Sequence, residues 1–132
     1  MREVSYGYHK NLGNITMDQA TSRVTEALAT EGFGIVSEMN VTETLKKKIN
    51  VNIRPYKILG ACNPGLAHAA LQAEEMIGLL LPCNVIVFER EDGTANVSFA
   101  KPSAMFQVVD NPDMQGMASE VDARIRRVLE QL

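Results

Sequence analysis

The chain has 132 residues, a net charge of -3 and a pI of about 5.4, with 45% hydrophobic and 22% charged residues. That length fits one domain, and that balance is globular rather than disordered. The negative charge argues against a nucleic-acid partner, which selects for a basic face. No apolar run reaches the ~20 residues a membrane span needs.

Two cysteines are too few for a secreted disulfide framework. Met1 to Lys10 has no apolar run of signal-peptide length. Both readings favour the cytoplasm. With no tryptophan and few aromatics, Leu, Ile, Val, Met and Ala must fill the core.

Residues 2–9 read as an opening strand. Thr16 is an N-cap with Gln19 completing a capping box, and Ala20, Val24, Ala27 and Leu28 follow at helical spacing. Gly32 ends that helix, because glycine enters the left-handed conformation at low cost. A strand follows with Phe33, Ile35 and Val36 facing inward and Glu38 outward. Thr42 is placed to cap a short helix carrying Leu45 and Ile49, and the three lysines between them, Lys46 to Lys48, read as a solvated face.

Tyr56 to Cys62 is a strand apolar enough to be buried on both sides. Asn63-Pro64 starts a helix, with Asn as cap and Pro at the first turn. Its apolar face is Leu66, Ala69, Ala70, Ala73 and Ile77, its polar face is His68, Gln72 and Glu75, and Pro82 stops it. Asn84 to Glu91 is a β-branched strand, and Asp92-Gly93 signals a type I′ hairpin. Val97 and Phe99 alternate with polar neighbours in a half-exposed strand. Asn111-Pro112 repeats the helix-start device, and Met114, Met117, Val121, Ile125, Val128 and Leu132 form one stripe of a long final helix.

This order predicts an α+β domain spanning residues 1–132, with helices packed on one face of a mostly antiparallel sheet. The segment Tyr56-Lys57-Ile58-Leu59-Gly60-Ala61-Cys62-Asn63-Pro64, together with Ile77-Gly78-Leu79-Leu80-Leu81-Pro82-Cys83-Asn84-Val85, resembles the domain of unknown function 302 family. That resemblance implies a curved sheet of about five strands in a fold like the TATA-binding-protein class, a β-α-β(4)-α core with inserted helices. It also implies a homodimer. Phe99-Ala100-Lys101-Pro102 departs from the family pattern, where a more polar run is expected. The family name carries no activity, so the resemblance speaks to fold rather than function.

Cys62 and Cys83 are the residues most suggestive of chemistry. Each is followed by asparagine, and each stands at a strand end. If their strands are antiparallel neighbours, the two junctions meet. Cys62 also precedes a helix N-terminus, which favours thiolate. The competing reading is that both are small core hydrophobes. Two thiols are incomplete for a zinc site with four ligands, so neither a metal nor a cofactor is assigned. Asn63 and Asn84 are either cap and strand-end residues or donors into a shared pocket. Lys57 either marks an exposed strand start or binds an anion. His68 and His9 read as surface residues, and no catalytic triad or phosphate loop is recognisable.

Cys62, Asn63, Cys83, Asn84 and Lys57 are therefore the candidate site. The leading functional expectation is a homodimeric module that binds a small molecule or a partner. The alternative is thiol-dependent redox, sulfur-handling or soft-metal chemistry at the two cysteines.

Overall fold

Five strands pair into one open antiparallel sheet in the order β1-β5-β4-β3-β2, with β1 at Gly7–Gly13, β2 at Gly34–Asn40, β3 at Tyr56–Cys62, β4 at Cys83–Glu89 and β5 at Ala95–Ala100. The computed structural model describes residues 3–132. Its helices are α1 (Met17–Ala29), α2 (Val41–Ile49), α3 (Pro64–Ala73), α4 (Pro102–Met105) and α5 (Asp113–Glu130), with short 3₁₀ turns at Glu75–Leu80 and Phe106–Val108. The element order is β-α-β(4)-α with α2, α3 and α4 inserted.

The long helices α1 and α5 cover one face of the sheet. Ala20, Val24 and Leu28 of α1 meet Leu59, Val85, Val87, Val97 and Phe99 of the strands and Ile125 and Val128 of α5, all of them buried. Each such aliphatic side chain contributes roughly 1.5–3 kcal/mol on leaving water, so this single layer carries most of the stability. A smaller cluster of Ala70, Ile77, Phe106, Met114 and Ala118 joins α3 to the start of α5.

Local signals account for the helix starts. The Thr16 hydroxyl accepts from the Gln19 N–H at 3.0 Å while the Gln19 side chain accepts from the Thr16 N–H at 2.9 Å. Asn63 Oδ1 accepts from the Leu66 N–H at 3.2 Å, with Pro64 in the first turn. Thr42 does not cap α2. Asn40 does, accepting from the Glu43 N–H, and the Thr42 hydroxyl instead bridges to the Arg54 carbonyl and the Tyr56 N–H.

Several sequence expectations need correction. The first strand lies at Gly7–Gly13, later than 2–9, because its true partner is β5 and Tyr8 and Leu12 are the side chains that reach the core; Arg2, the first residue of the expected strand, lies outside the described residues. Val36 is not buried: it is 64% exposed, at the point where the register of β2 against β3 shifts between Ile35 and Ser37. α3 ends at Ala73, where Glu74 is extended, and Ile77 is buried from a separate 3₁₀ turn.

The hairpin at Asp92-Gly93 is not type I′. Only Gly93 has positive φ, at 84°, and Arg90 pairs with Thr94 across three intervening residues. That is a type I turn followed by a left-handed glycine. Nor is β5 half exposed. It is an interior strand, and Ala95 to Phe99 are all buried, Asn96 and Ser98 included.

Two glycines hold the junction of β2, β3 and α3. A Cβ on Gly60 would lie 2.1 Å from Ser37 Oγ and 2.7 Å from Pro82 Cγ. A Cβ on Gly32, whose φ is +82°, would lie 2.8 Å from Asn63 Nδ2. Around that second glycine the Glu31 carbonyl accepts from both Asn63 Nδ2 at 3.2 Å and Arg124 Nη1 at 3.1 Å. One carbonyl thus ties the end of α1 to the start of α3 and to α5.

Buried Asp122 fixes α5 against β1 and α4. Tyr8 Oη donates to its Oδ2 at 2.5 Å, the Ser103 hydroxyl and N–H both donate to Oδ1, and Arg126 pairs with Oδ2 at 3.1 Å. Burial alone would raise this carboxyl, but the hydrogen bonds from Tyr8 and Ser103 and the Arg126 charge outweigh it, leaving it below its ordinary 3.8. Asp122→Asn should cost about 1–3 kcal/mol in urea unfolding at neutral pH. Because the folded value lies below the unfolded one, this contribution is complete above about pH 5 and is lost as the pH falls through the folded value. The stability gap between wild type and variant should therefore be flat at neutral pH and close in acid below 3.8. A gap that widens in acid would contradict the assignment.

Candidate functional site

β3 ends where β4 begins. Ala61 pairs with Cys83 in the antiparallel ladder, and Cys62 is the next residue. The two junctions predicted to meet do so, and both cysteines are free. They line one half-open cavity of about 240 Å³. Ala61, Val36 and Phe33 form its sheet side, Leu66, Ala67 and Ala70 of α3 one wall, Met117 and Val121 of α5 with Phe106 the other, and Leu81-Pro82 the end.

The cavity is almost wholly apolar, and no charged side chain lines it. Asn63 is its only polar lining side chain besides the thiols, and both ends of that amide are engaged, by the Leu66 N–H and the Glu31 carbonyl. Burial first, and the neighbouring Cys62 second, push the Cys83 thiol up to about 11. A thiol so placed stays protonated at neutral pH and behaves as a small apolar group.

The other candidates lie elsewhere. Asn84 belongs to the opposite face of β4 and is exposed. Lys57 faces the helix side, but it stands four residues back along β3, opposite Val87. Its ammonium is engaged by Glu38 at 3.1 Å and Asp18 at 4.0 Å, so its charge is spent on neighbouring carboxylates. Of the five candidates the structure brings together Cys62, Asn63 and Cys83, and leaves Asn84 and Lys57 apart. His68 is exposed on α3, and Lys46 to Lys48 are exposed on α2. Among the described residues no group of three His, Cys, Asp or Glu side chains gathers to hold a metal ion.

Sequence reasoning missed two sets of residues. Phe106 and Val36 complete the cavity, but one sits in a 3₁₀ turn and the other on an irregular stretch of β2, and neither position follows from a regular period. The second set is on the helix-free face of the sheet. There the ring of His9 reaches Ser98 Oγ at 2.8 Å, and Asn96 Nδ2 reaches the same oxygen at 3.0 Å. The only signal available was the pair of polar residues, Asn96 and Ser98, inside a strand of otherwise core-forming type.

A family model described as Domain of unknown function DUF302 matches residues 8–132. The crystal structure of an uncharacterized conserved protein DUF302 from Bacillus stearothermophilus is similar over 97% of this chain and 98% of that chain, with 27% sequence identity and a TM-score of 0.88. No curated protein matches this chain.

The cavity chemistry makes a direct prediction. A thiol at about 11 holds about a hundredfold less thiolate at neutral pH than one at 9.0. Cys83 in the native protein should therefore react with iodoacetamide at least about tenfold more slowly than free cysteine, the greater nucleophilicity of a high-pKa thiolate offsetting part of its scarcity, as read by mass spectrometry of the labelled peptides. Rapid labelling of Cys83 under native conditions would overturn the reading of it as a protonated wall residue.

Proposed function

The chain belongs to the DUF302 family, and from that premise we propose that it is a homodimeric binding module holding a small, uncharged, apolar molecule in the cavity at Cys62 and Cys83. The observation that carries this reading is the cavity itself. It is open to solvent, its lining is apolar, and the polar groups of Asn63 are already satisfied. Apolar pockets with few polar groups are the usual form of small-molecule sites. A dry cavity of ~150 Å³ already takes benzene, so about 240 Å³ suits a one-ring ligand or a short branched chain. The thiol-dependent alternative draws no comparable support, since burial opposes the thiolate at Cys83.

Self-association draws its support from the region of edge strand β2. Val36 and Met39 are exposed on it, and Ile49, Val51 and Ile53 are exposed just beyond. Exposed apolar side chains gathered at an unpaired strand edge favour a partner. No helix among the described residues is long and apolar enough to cross a membrane. The two free thiols support a reducing compartment, in this reading the cytoplasm.

Toluene is a suitable probe of the cavity. Titration should shift the methyl resonances of Leu66 and Val121 saturably, while Ala67→Phe, which fills the space, should abolish the shift without lowering the unfolding midpoint. Unchanged resonances at saturating toluene, or an equal response in the filled variant, would dismiss the cavity as a ligand site. Separately, sedimentation should show a dimer at micromolar concentration, and Val36→Lys with Met39→Lys should convert it to monomer. A monomer at every concentration would remove self-association from the proposal.

A further inference from the structure

The face of the sheet away from α1 and α5 should be polar if it only met water. Instead it carries Tyr56, Phe88 and Ile86, with the Tyr56 and Phe88 rings stacked 5.5 Å apart and 21° from parallel. Together with Tyr6, His9, Asn84 and Ser98 they line a second pocket of about 420 Å³. Among the described residues its lining holds no Asp, Glu, Lys or Arg side chain, and the Val4 N–H donates to His9 Nε2 at 3.1 Å.

That hydrogen bond also fixes the tautomer. His9 Nδ1 carries the proton and donates to Ser98 Oγ at 2.8 Å, and Asn96 Nδ2 donates to the same oxygen at 3.0 Å. Both acceptor positions of the Ser98 hydroxyl are taken. Its own hydrogen has no acceptor among the described residues, although Ser98 is 7% exposed and lines the pocket. Asn96 is fully buried, and its Oδ1 has no partner among the described residues. Turning that amide over would give Oδ1 the Ser98 hydrogen and strand two N–H donors instead, so the group holds an unmatched polar atom in either orientation. The hydroxyls of Tyr6 and Tyr56 likewise have no protein acceptor among the described residues, and burial first, with nearby Tyr6 second, holds the Tyr56 phenol above its ordinary value.

We infer that this pocket is a second ligand site, separate from the cysteine cavity, for a flat, uncharged conjugated molecule bearing a carbonyl oxygen. The Tyr56 and Phe88 rings supply a surface for stacking. The spare hydroxyl hydrogens of Ser98, Tyr56 and Tyr6 supply donors to the oxygen. The described lining residues offer a charged ligand no counter-ion for the water it would lose. The site depends on residues 4–9 of the N-terminal segment, which bring Val4, Tyr6 and His9 to it, and on none of the residues lining the cysteine cavity.

Coumarin, neutral and planar with a ring carbonyl, is the probe, and naphthalene, which lacks the oxygen, is the control. The chain has no tryptophan and three tyrosines, two of which line this pocket, so quenching of tyrosine fluorescence reports on it. Coumarin should quench saturably and shift the Ile86 methyl and Tyr56 ring resonances, and naphthalene should bind more weakly. Tyr56→Phe, which removes one oxygen and keeps the stack, and Ser98→Ala should each weaken coumarin about three- to tenfold and leave naphthalene unchanged. If Ser98→Ala fails to fold, Tyr56→Phe alone decides. Equal binding of the two probes, an unchanged coumarin affinity in Tyr56→Phe, or shifts confined to Leu66 and Val121 of the other cavity would each overturn the inference.

Discussion

At Gly60 the backbone of β3 has no room for a methyl group. Ser37 crowds it from β2 and Pro82 from the segment that leads into β4. That close approach holds three neighbouring strands in register at one end of the sheet, and the register decides everything near it. With Gly60 opposite Asn84 and Ala61 opposite Cys83, the helix-side residues of β3 and β4 face α3 and α5, and the alternate ones face away. A slip of one residue would exchange the two faces. Cys83 would leave the apolar cavity and Asn84 would enter it with an unsatisfied amide.

A second tie works from the helix side. The Glu31 carbonyl takes hydrogen bonds from Asn63 and Arg124, and the Glu31 carboxylate pairs with Arg127 at 2.8 Å. The carbonyl bonds lie in a partly buried setting, where losing a partner is costly, whereas the half-exposed Arg127 pair adds little by itself. Asp122 does the same work at the other side of α5, drawing Tyr8, Ser103 and Arg126 together. Helix α5 is thereby fixed at both flanks, and its Met117 and Val121 form a rigid wall. The walls of the cavity are thus anchored by polar ties, one through Asn63 of its own lining and the others outside it.

Where the sequence was legible, the reason was local. Thr16 with Gln19, and Asn63 with Pro64, name helix starts by side-chain hydrogen bonding and proline geometry, and those positions were correct to the residue. The Tyr56 to Cys62 strand was legible because an unbroken apolar run has few other uses, and the meeting of Cys62 with Cys83 followed once β3 and β4 were adjacent and antiparallel. What was not legible depended on tertiary partners. Val36 is exposed at an irregularity in pairing with β3, which leaves no mark in the residues of β2. Ala95 to Phe99 looked half exposed because alternation was taken as a solvent boundary. In an interior strand, neighbours on both sides shelter short polar side chains such as Asn96 and Ser98. Lys57 reads in sequence as open to an anion because its carboxylate partners come from β2 and α1, far away in the chain.

Asn96 and Ser98 also sharpen the contrast between the two faces. A buried asparagine with an unmatched oxygen costs about 1–3 kcal/mol, and a valine or threonine at position 96 would suit an interior strand better. The helix face tolerates nothing of this kind. The two buried polar residues of the strands, Asn96 and Ser98, both lie on the other face. The unmatched amide is confined to the face that no helix covers, next to the His9 and Ser98 pair and opposite Phe88 in the ladder. Core packing can account for neither the amide nor the spare hydroxyl beside it. A ligand oxygen accepting the Ser98 hydrogen would supply part of what the protein leaves unfilled, and the polarity of this face then belongs to binding rather than to folding.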